Sequence, residues 1–344
     1  MNKQLNKKKI QFSDRQRERF SEVIARFPRV KVLVLGDFML DEFVWGKVSR
    51  ISPEAPVPVV NIERQSFVPG GALNVANNIR TLRGVVFPCG VIGKDLYGRM
   101  LLREVRREGI ETGGMIYDRA RRTTLKTRVV AHSQQVVRFD REDLQEIGEA
   151  AAQQILHFVK RQMPHVQAVV IGDYAKGVVT PRLLKHVLKL AKRHGVPTVL
   201  DPKEKNFPHY RGVSVMTPNW KEALAAVRKG PQESEVSLKE VGARLLKKFN
   251  CKAVVITLGE QGMCVFESAG PMTPIPTAAR EVFDVSGAGD TVAAVLGLAL
   301  GAGASVREAA AIANLSAGIV VGKLGTATVE TEELMEAVRN HRAR

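Results

Sequence analysis

The chain has 344 residues, of which 44% are hydrophobic and 25% charged, and these globular proportions exclude wholesale disorder. Its three cysteines, Cys89, Cys251 and Cys264, lie far apart, which argues against a secreted disulfide framework and a zinc cage. A net charge of +17 allows nucleic acid, a membrane surface or an anionic small molecule as a partner.

The first 31 residues are basic, with ten Lys or Arg and three Asp or Glu residues. No apolar core follows the first lysines, so no signal peptide is predicted. Ser13 and Gln16 are typical of a capping box, and Phe20 and Phe27 belong to an apolar stripe with helical spacing. We interpret residues 1–29 as a basic extension with a short helix, a solvated tail rather than a nucleic-acid-binding arm.

Apolar, β-branched segments that each end in a polar residue are predicted as buried strands. They are residues 32–35, 168–171, 198–200, 213–216 and 253–256. Because the carboxyl ends of parallel strands meet at one edge of a sheet, the polar residues that follow are predicted to face one crevice. These residues are Asp37, Asp173, Asp201 and Asn219.

Helical patterns lie between the strands. Thr180 followed by Pro181 predicts a helix start, and Gly195 predicts the end of that helix. Ser237 with Glu240 predicts another capping box. This alternation predicts an α/β fold with a doubly wound, mostly parallel sheet flanked by helices.

Two stretches do not follow the alternation. Residues 43–67 are rich in Val, Pro and Ser, and residues 123–140 are predicted as a hairpin that turns at His132, Ser133 and Gln134. Together they predict a small β-sheet, for which a lid over the crevice and an ordinary edge sheet are the alternatives. The polar connector 228–236 is too short to be a domain boundary.

The segment DVSGAGDT, residues 284–291, precedes an apolar run of 13 residues, which is shorter than the roughly 20 that cross a bilayer. Backbone N–H groups of Gly287, Ala288 and Gly289 at the start of the predicted helix form an anion site. A carboxylate repels a phosphate there, so Asp290 is a candidate general base. The alternative is that Asp290 only caps the helix.

Two further segments carry candidate ligand groups. Gly70 and Gly71 predict close approach of the backbone to a ligand, and Asn74 is able to hydrogen-bond sugar hydroxyls, unless the pair simply forms a tight turn. Asn219 and Glu222 share one face of a helix start, where Glu222 could hold Mg²⁺ through water. The alternative there is a helix cap with a first-turn glutamate.

Three motifs in this order resemble the signatures of the ribokinase, or phosphofructokinase B, family of sugar kinases. They are GGALN at 70–74, NWKE at 219–222 and DVSGAGDT at 284–291. The resemblance covers about residues 30–335. It implies a ribokinase-like kinase domain over 30–340, with a small β-sheet lid built from segments 43–67 and 123–140.

Longer segments resemble the branch of this family that acts in ADP-heptose synthesis, on the way to the lipopolysaccharide core. They are GDFMLD at 36–41, SRISPEAPVPV at 49–59, DYAKG at 173–177, DPK at 201–203 and VGKLGT at 321–326. The resemblance implies a phosphotransferase that moves the γ-phosphate of ATP to the anomeric hydroxyl of D-glycero-β-D-manno-heptose 7-phosphate. The product implied is the 1,7-bisphosphate.

The resemblance also implies a role for each candidate residue. Asp290 is implied as the base, with Gly287, Ala288 and Gly289 as the anion hole. ATP and Mg²⁺ are assigned to Asn219, Glu222, Thr257, Gly259, Gly262 and Asn314, with Glu222 holding Mg²⁺ through water. The sugar is assigned to Asp37, Asp41, Gly70, Gly71 and Asn74, and its 7-phosphate to Arg128, Arg138 and Lys203. Lys126 shares a strand face with Arg128, and K⁺ is a further candidate near Asp284, Ser286 and Gly325.

A homodimer through the lid and a cytoplasmic location are expected, without a membrane or nucleic-acid partner. Because the chain ends at Arg344 and has no His-x-Gly-His motif, a separate nucleotidyltransferase is expected in the pathway. Walker, protein-kinase and Gly-x-Ser-x-Gly motifs are absent from the sequence. The alternatives are another sugar or sugar-phosphate kinase of the family, and a basic nucleic-acid-binding or regulatory protein on a kinase scaffold.

Overall fold

A computed structural model describes residues 11–132, 134–228, 236–279, 281–323 and 325–341. The predictions for residues 1–10, for most of the polar connector, for the turn residue Ser133 and for Leu324 lie outside the described residues.

The described strands form two sheets. In chain order they are β1 (Lys31–Gly36), β2 (Phe38–Ile51), β3 (Pro58–Gly71), β4 (Val85–Gly93), β5 (Gly114–Asp118), β6 (Thr124–Ala131), β7 (Gln134–Arg141), β8 (Ala168–Gly172), β9 (Thr198–Asp201), β10 (Val215–Met216), β11 (Ala253–Thr257), β12 (Met263–Glu267) and β13 (Thr273–Ile275). The main sheet has the order β13-β12-β11-β10-β9-β8-β1-β4-β5, and only the pairs that contain β12 are antiparallel. The small sheet has the order β3-β2-β6-β7. The predicted mostly parallel sheet is confirmed.

The helices cover both faces of the main sheet. They are α1 (Asp14–Ala25), α2 (Ala72–Thr81), α3 (Leu96–Arg107), α4 (Glu149–Gln162), α5 (Pro181–Arg193), α6 (Trp220–Val227), α7 (Leu238–Phe249), α8 (Ala288–Gly301), α9 (Val306–Val320) and α10 (Thr331–Asn340). Alternate residues of β1 join different cores: Val32 and Val34 pack on the side of α2, α8 and α9, and Leu33 and Leu35 on the side of α4, α5 and α7. None of the described helices is long and apolar enough to cross a membrane.

Local signals placed several helix starts correctly. The capping box of Ser13 and Gln16 is formed at α1, and Thr180 caps α5 with Pro181 in its first turn. At α7, Ser237 accepts the N–H of Glu240, but the reciprocal bond predicted for a capping box is not formed. The Glu240 carboxylate accepts from Arg244 instead, at 2.6 Å.

The observed strands of the main sheet differ from the predicted strands in two ways. Of the segment 213–216 only Val215 and Met216 form a strand, because Ser214 exchanges side-chain and backbone hydrogen bonds with Thr198. Strands β4, β5, β12 and β13 were not predicted at all. Buried glycines and a proline interrupt the apolar run of β4, and the other three are short.

The strands of the small sheet extend beyond the predicted segments 43–67 and 123–140, since β2 begins at Phe38 and β3 ends at Gly71. Only Asp37 lies between the end of β1 and the start of β2. β2 pairs antiparallel with β3, while β2 and β6 are parallel and β6 and β7 antiparallel. This arrangement carries Asp41 and the residues of β6 to the carboxyl end of β1. The sheet is therefore tied directly to the edge where the site was predicted.

Candidate active site

Asp290 lies in the first turn of α8, beside the end of β8. Its Oδ2 accepts from Nδ2 of Asn74 at 2.7 Å, and its Oδ1 accepts from the hydroxyl of Tyr174. Gly287 is the N-cap residue of α8 and has φ of +80°, and a Cβ there would lie 2.8 Å from Nδ2 of Asn74. The carboxylate is thus held by two other elements and does not serve merely as a helix cap.

The surroundings adjust the acidity of this carboxyl group. Partial burial raises the pKa of Asp290 to about 6, and the charge of Asp41 acts in the same direction. The hydrogen bonds from Tyr174 and Asn74 and the charge of Lys203 lower the pKa. A pKa close to neutrality is what a general base requires at physiological pH.

The predicted anion hole lies at the start of α8. Gly289 is exposed, and Gly287 and Ala288 are half-buried, so the turn is open on one side. The N–H of Ala288 donates to the carbonyl oxygen of Val285 at 3.3 Å. An anion bound here would compete with that long bond for the Ala288 donor.

Because Gly70 and Gly71 have no side chains, atoms of two aspartates lie close to their backbone. A Cβ on Gly70 would lie 2.0 Å from Oδ2 of Asp41, and one on Gly71 would lie 2.6 Å from the carbonyl oxygen of Asp37. Asp41 is buried and its Oδ1 accepts from Arg128 at 2.6 Å. Protein atoms thus occupy the space that a Cβ on either glycine would take, and the predicted approach of their backbone to a ligand stays a prediction.

Asp37 is buried at the end of β1, and its carboxylate faces the loop after β8. It accepts backbone N–H bonds from Tyr174, Lys176 and Val178 at 2.8, 3.1 and 2.9 Å. Burial and the charge of Asp173 raise the pKa of Asp37. Its predicted contact with sugar stays a prediction, and the structure adds a role in holding this loop.

Asn219 and Glu222 form the capping box of α6. Oε2 of Glu222 accepts the N–H of Asn219 at 3.0 Å, and Oε1 accepts from Nζ of Lys203 at 2.7 Å. Burial and the charges of Asp290 and Glu222 raise the pKa of Asp201 to about 8. Lys203 thus lies within an acidic group of residues next to Asp290.

Each of the cations predicted for the 7-phosphate pairs with a carboxylate of the protein. Arg128 pairs with Asp41 at 2.6 Å, and Arg138 and Lys126 both pair with Asp140, at 3.1 and 3.3 Å. Lys203 pairs with Glu222 at the ends of the main-sheet strands. Lys203 therefore pairs with a carboxylate of α6, whereas the other three cations pair with carboxylates of the small sheet.

The remaining predicted ATP residues lie beyond α6. Thr257 forms an isolated parallel bridge with Asn219. Gly259 and Gly262 have positive φ, and a Cβ on Gly262 would lie 2.2 Å from the carbonyl oxygen of Ile275. Buried Asn314 donates from Nδ2 to the carbonyl oxygen of Pro276 at 2.7 Å. Their contact with ATP stays a prediction.

The residues predicted for K⁺ are brought together by Asp284. Its Oδ1 accepts the N–H of Ser286 at 2.9 Å, and its Oδ2 accepts the N–H of Gly325 at 3.0 Å. Within the described residues, no group of three or more His, Cys, Asp or Glu residues is arranged to hold a metal ion. A cavity of about 620 Å³ between α1, β13 and α9 is lined by none of the predicted site residues.

Tyr174 is the residue of the site that sequence reasoning missed. It belongs to the segment DYAKG, and the sequence assigns its side chain no role, yet its hydroxyl donates to Asp290. The only signal available was its position directly after a buried strand. That position indicates a place near the crevice but not which carboxylate the side chain meets.

The chain matches the pfkB family of carbohydrate kinases over residues 30–333. Proteins named bifunctional protein HldE from Geobacter sulfurreducens and Geobacter metallireducens are 44% and 45% identical to it over 320 residues. Each match covers 93% of this chain and 65% of the relative, so the chain spans less than two thirds of the length of these relatives.

Solved structures share the fold. Phosphofructokinase-2 from Escherichia coli, solved in complex with potassium, has a TM-score of 0.70 at 19% identity and covers 91% of this chain and 98% of its own. Ribokinase from Arabidopsis thaliana, solved with ribose and ATP, has a TM-score of 0.68 at 17% identity, with 90% and 98% covered. The ribokinase-like fold predicted from the sequence is confirmed.

Proposed function

Because the chain belongs to the pfkB family of carbohydrate kinases, we propose that it phosphorylates the anomeric hydroxyl of D-glycero-β-D-manno-heptose 7-phosphate with ATP. The product is the 1,7-bisphosphate, and the reaction belongs to cytoplasmic ADP-heptose synthesis. The observation that carries the proposal is the place of Asp290, a carboxylate with a pKa raised to about 6 in the first turn of α8.

The choice of heptose rests on two supports. The segments at 36–41, 49–59 and 173–177 resemble the heptose branch of the family, and the first and last of them contain Asp41 and Tyr174 of the site. The relatives named bifunctional protein HldE match almost the whole chain at 44% and 45% identity. Fold alone does not select a sugar, since many substrates share this scaffold.

The proposed reaction needs one base and one anion site. Asp290 takes the proton of the C1 hydroxyl while that oxygen bonds to the γ-phosphorus of ATP and the bond to the ADP oxygen breaks. The start of α8 stabilises the negative charge on the transferred phosphoryl group through its N–H groups and its dipole. Phosphoryl transfer depends mostly on such positioning and charge stabilisation.

The residues present fit a hydrated Mg²⁺ that arrives with ATP. Mg²⁺ prefers oxygen ligands, keeps several waters and commonly uses one or two carboxylates together with phosphates. Glu222 offers one carboxylate, whose oxygens are already oriented by Lys203 and Asn219. When bound, the ion neutralises charge on the phosphates. We assign Lys203 to the same phosphates, because its Nζ pairs with Glu222.

We assign the 7-phosphate to the small sheet. Lys126 and Arg128 share one face of β6, and Arg138 stands directly opposite Arg128 across the β6–β7 pair. Like charges in directly opposed positions are destabilising, and an anion bound between them removes that repulsion. A planar guanidinium pair also suits a phosphate.

Three further features complete the proposal. Asp284 with the loop at Gly325 is the candidate K⁺ site, and replacing K⁺ by tetramethylammonium in the assay tests it. The small sheet pairs two copies of the chain into a homodimer. A separate nucleotidyltransferase uses the product.

The test is ATP consumption by purified protein with Mg²⁺ and a panel of acceptors. The panel contains the heptose 7-phosphate, fructose 6-phosphate, fructose 1-phosphate, ribose and adenosine, and phosphorus NMR locates the new ester. We expect selective turnover of the heptose phosphate with a signal at C1. Turnover of another acceptor would overturn the heptose assignment, and no turnover at all would favour the binding-protein alternative.

A further inference from the structure

Tyr174 contacts the carboxylate to which we assign the base, although no motif assigns this side chain a role. Its hydroxyl donates to Oδ1 of Asp290, and Nδ2 of Asn74 donates to Oδ2 at 2.7 Å. We propose that Tyr174 is a positioning residue, whose hydroxyl orients Asp290 and favours its ionised form. This inference rests on the proposed function, because it takes Asp290 as the base.

The backbone that carries Tyr174 is held by a neighbouring strand end. The Asp37 carboxylate accepts the N–H groups of Tyr174, Lys176 and Val178. These three bonds wrap the loop around one buried side chain. The position of the tyrosine ring relative to Asp290 therefore depends on Asp37.

At Ala175 the same loop adopts a backbone conformation that persists only when the surroundings impose it. Ala175 has φ of +57°, in the left-handed region, and its N–H donates to Oδ1 of Asp173 at 2.7 Å. Gly177 has φ of +91°, and a Cβ there would lie 1.9 Å from the carbonyl oxygen of Gln145. The conformation of Ala175 is unfavourable for a residue with a side chain, and such conformations are found where a structure fixes a functional group. Gly177 adopts its φ readily because it has no Cβ.

Few of the groups around Asp290 favour its ionised form. Asp41 of β2 faces it with like charge, and burial raises its pKa to about 6. Asp201 of β9 takes up the acidity change itself, since burial and the charge of Asp290 raise the pKa of Asp201 to about 8. Lys203 and the hydrogen bonds from Tyr174 and Asn74 act in the opposite direction. A hydrogen bond to the charged form of an acid lowers its pKa, so removal of the Tyr174 hydroxyl raises it.

The experiment compares Tyr174→Phe with the wild-type chain and with Tyr117→Phe, the same chemical change at an exposed position of edge strand β5. The quantity measured is kcat/KM for the heptose 7-phosphate between pH 5 and pH 9. In the profile of kcat/KM against pH, we expect the acid limb measured for Tyr174→Phe to lie at higher pH than that of the wild type, by roughly one unit or more. The limb of Tyr117→Phe stays in place.

An activity loss that is equal at every pH would overturn the inference, because it would indicate only a packing role for the ring. An unchanged profile would overturn it too. Tyr174→Gln, which keeps a hydrogen-bond donor and does not titrate, should move the limb less than Phe, and it serves if the Phe variant does not fold. Asp290→Asn distinguishes failure of the proposed function from failure of this inference. Full activity of Asp290→Asn would exclude Asp290 as the base. An inactive Asp290→Asn together with an unshifted pH profile of Tyr174→Phe would exclude only the role of Tyr174.

Discussion

At the scale of single residues, Asp290 is the group on which the proposed chemistry depends. Asp290→Asn keeps the shape of the side chain but cannot take a proton. We expect turnover to fall by roughly 10²–10⁴-fold, while ATP binding, measured by calorimetry, stays close to that of the wild type. Near-full turnover in a folded variant would rule out the base assignment.

The acidity of Asp290 predicts how activity responds to pH. Burial raises its pKa from 3.8 to about 6, so the base is ionised at neutral pH and becomes protonated as the pH falls through about 6. We expect kcat/KM to be level above this pH and to fall about tenfold per unit below it. A profile that stays level down to pH 5, with the protein still folded, would contradict the raised pKa.

Arg128 and Lys203 lie in different parts of the site, and their variants should therefore differ. Arg128→Ala removes a cation of the small sheet, so the KM for heptose 7-phosphate should rise roughly 10- to 100-fold and the KM for unphosphorylated heptose much less. Lys203→Ala should affect both sugars alike, because Lys203 pairs with Glu222. Steady-state kinetics with both sugars measure the difference. Equal effects of Arg128→Ala on both sugars would exclude its role at the 7-phosphate.

At the scale of elements, the turn from β3 into α2 controls the position of Asp41. A Cβ at Gly70 would lie 2.0 Å from Oδ2 of Asp41, a carboxylate whose Oδ1 already accepts from Arg128. Gly70→Ala should lower the free energy of unfolding by about 1–3 kcal/mol and raise the KM for sugar. Thermal or urea unfolding and kinetics measure the two effects.

The matched control is Gly148→Ala, at the N-cap of α4, where a Cβ meets nothing within 4 Å. We expect this variant to keep the wild-type KM for sugar. If Gly70→Ala behaves in the same way, the crowding at Asp41 does not control sugar binding.

At the scale of the whole molecule, the edge strand β7 of the small sheet predicts how the chain associates. Val137 and Phe139 share one face of β7 and are 48% and 57% exposed. Exposed apolar side chains on an edge strand favour pairing with another chain. We expect light scattering to show a dimer, and Phe139→Lys to shift it toward the monomer.

Met272→Lys, in the connection between β12 and β13, makes the same kind of change at another exposed apolar residue. It should leave the dimer intact. A wild-type chain that is monomeric at micromolar concentration, or a dimer that resists Phe139→Lys, would exclude pairing through this strand.

Features that depend on neighbouring residues were predictable from the sequence. Ser13 and Thr180 mark helix starts because a cap bonds within the next three residues. The glycines before Asp290 mark a helix N-terminus for the same reason. Strand β4 was missed because its glycines and Pro88 hide an apolar run that only tertiary packing buries.

The sequence by itself determined the alternation of strands and helices, the start of α8 and the presence of Asp290 there, because these depend on local periodicity and caps. Only the tertiary structure decided what surrounds that carboxylate. Tyr174 and Asn74 reach Asp290 from 116 and 216 residues away along the chain. Contacts over such distances follow from how the strand ends meet and leave no periodic signal, so the pKa of Asp290 and the hold on the loop at Tyr174 emerge only once the chain has folded.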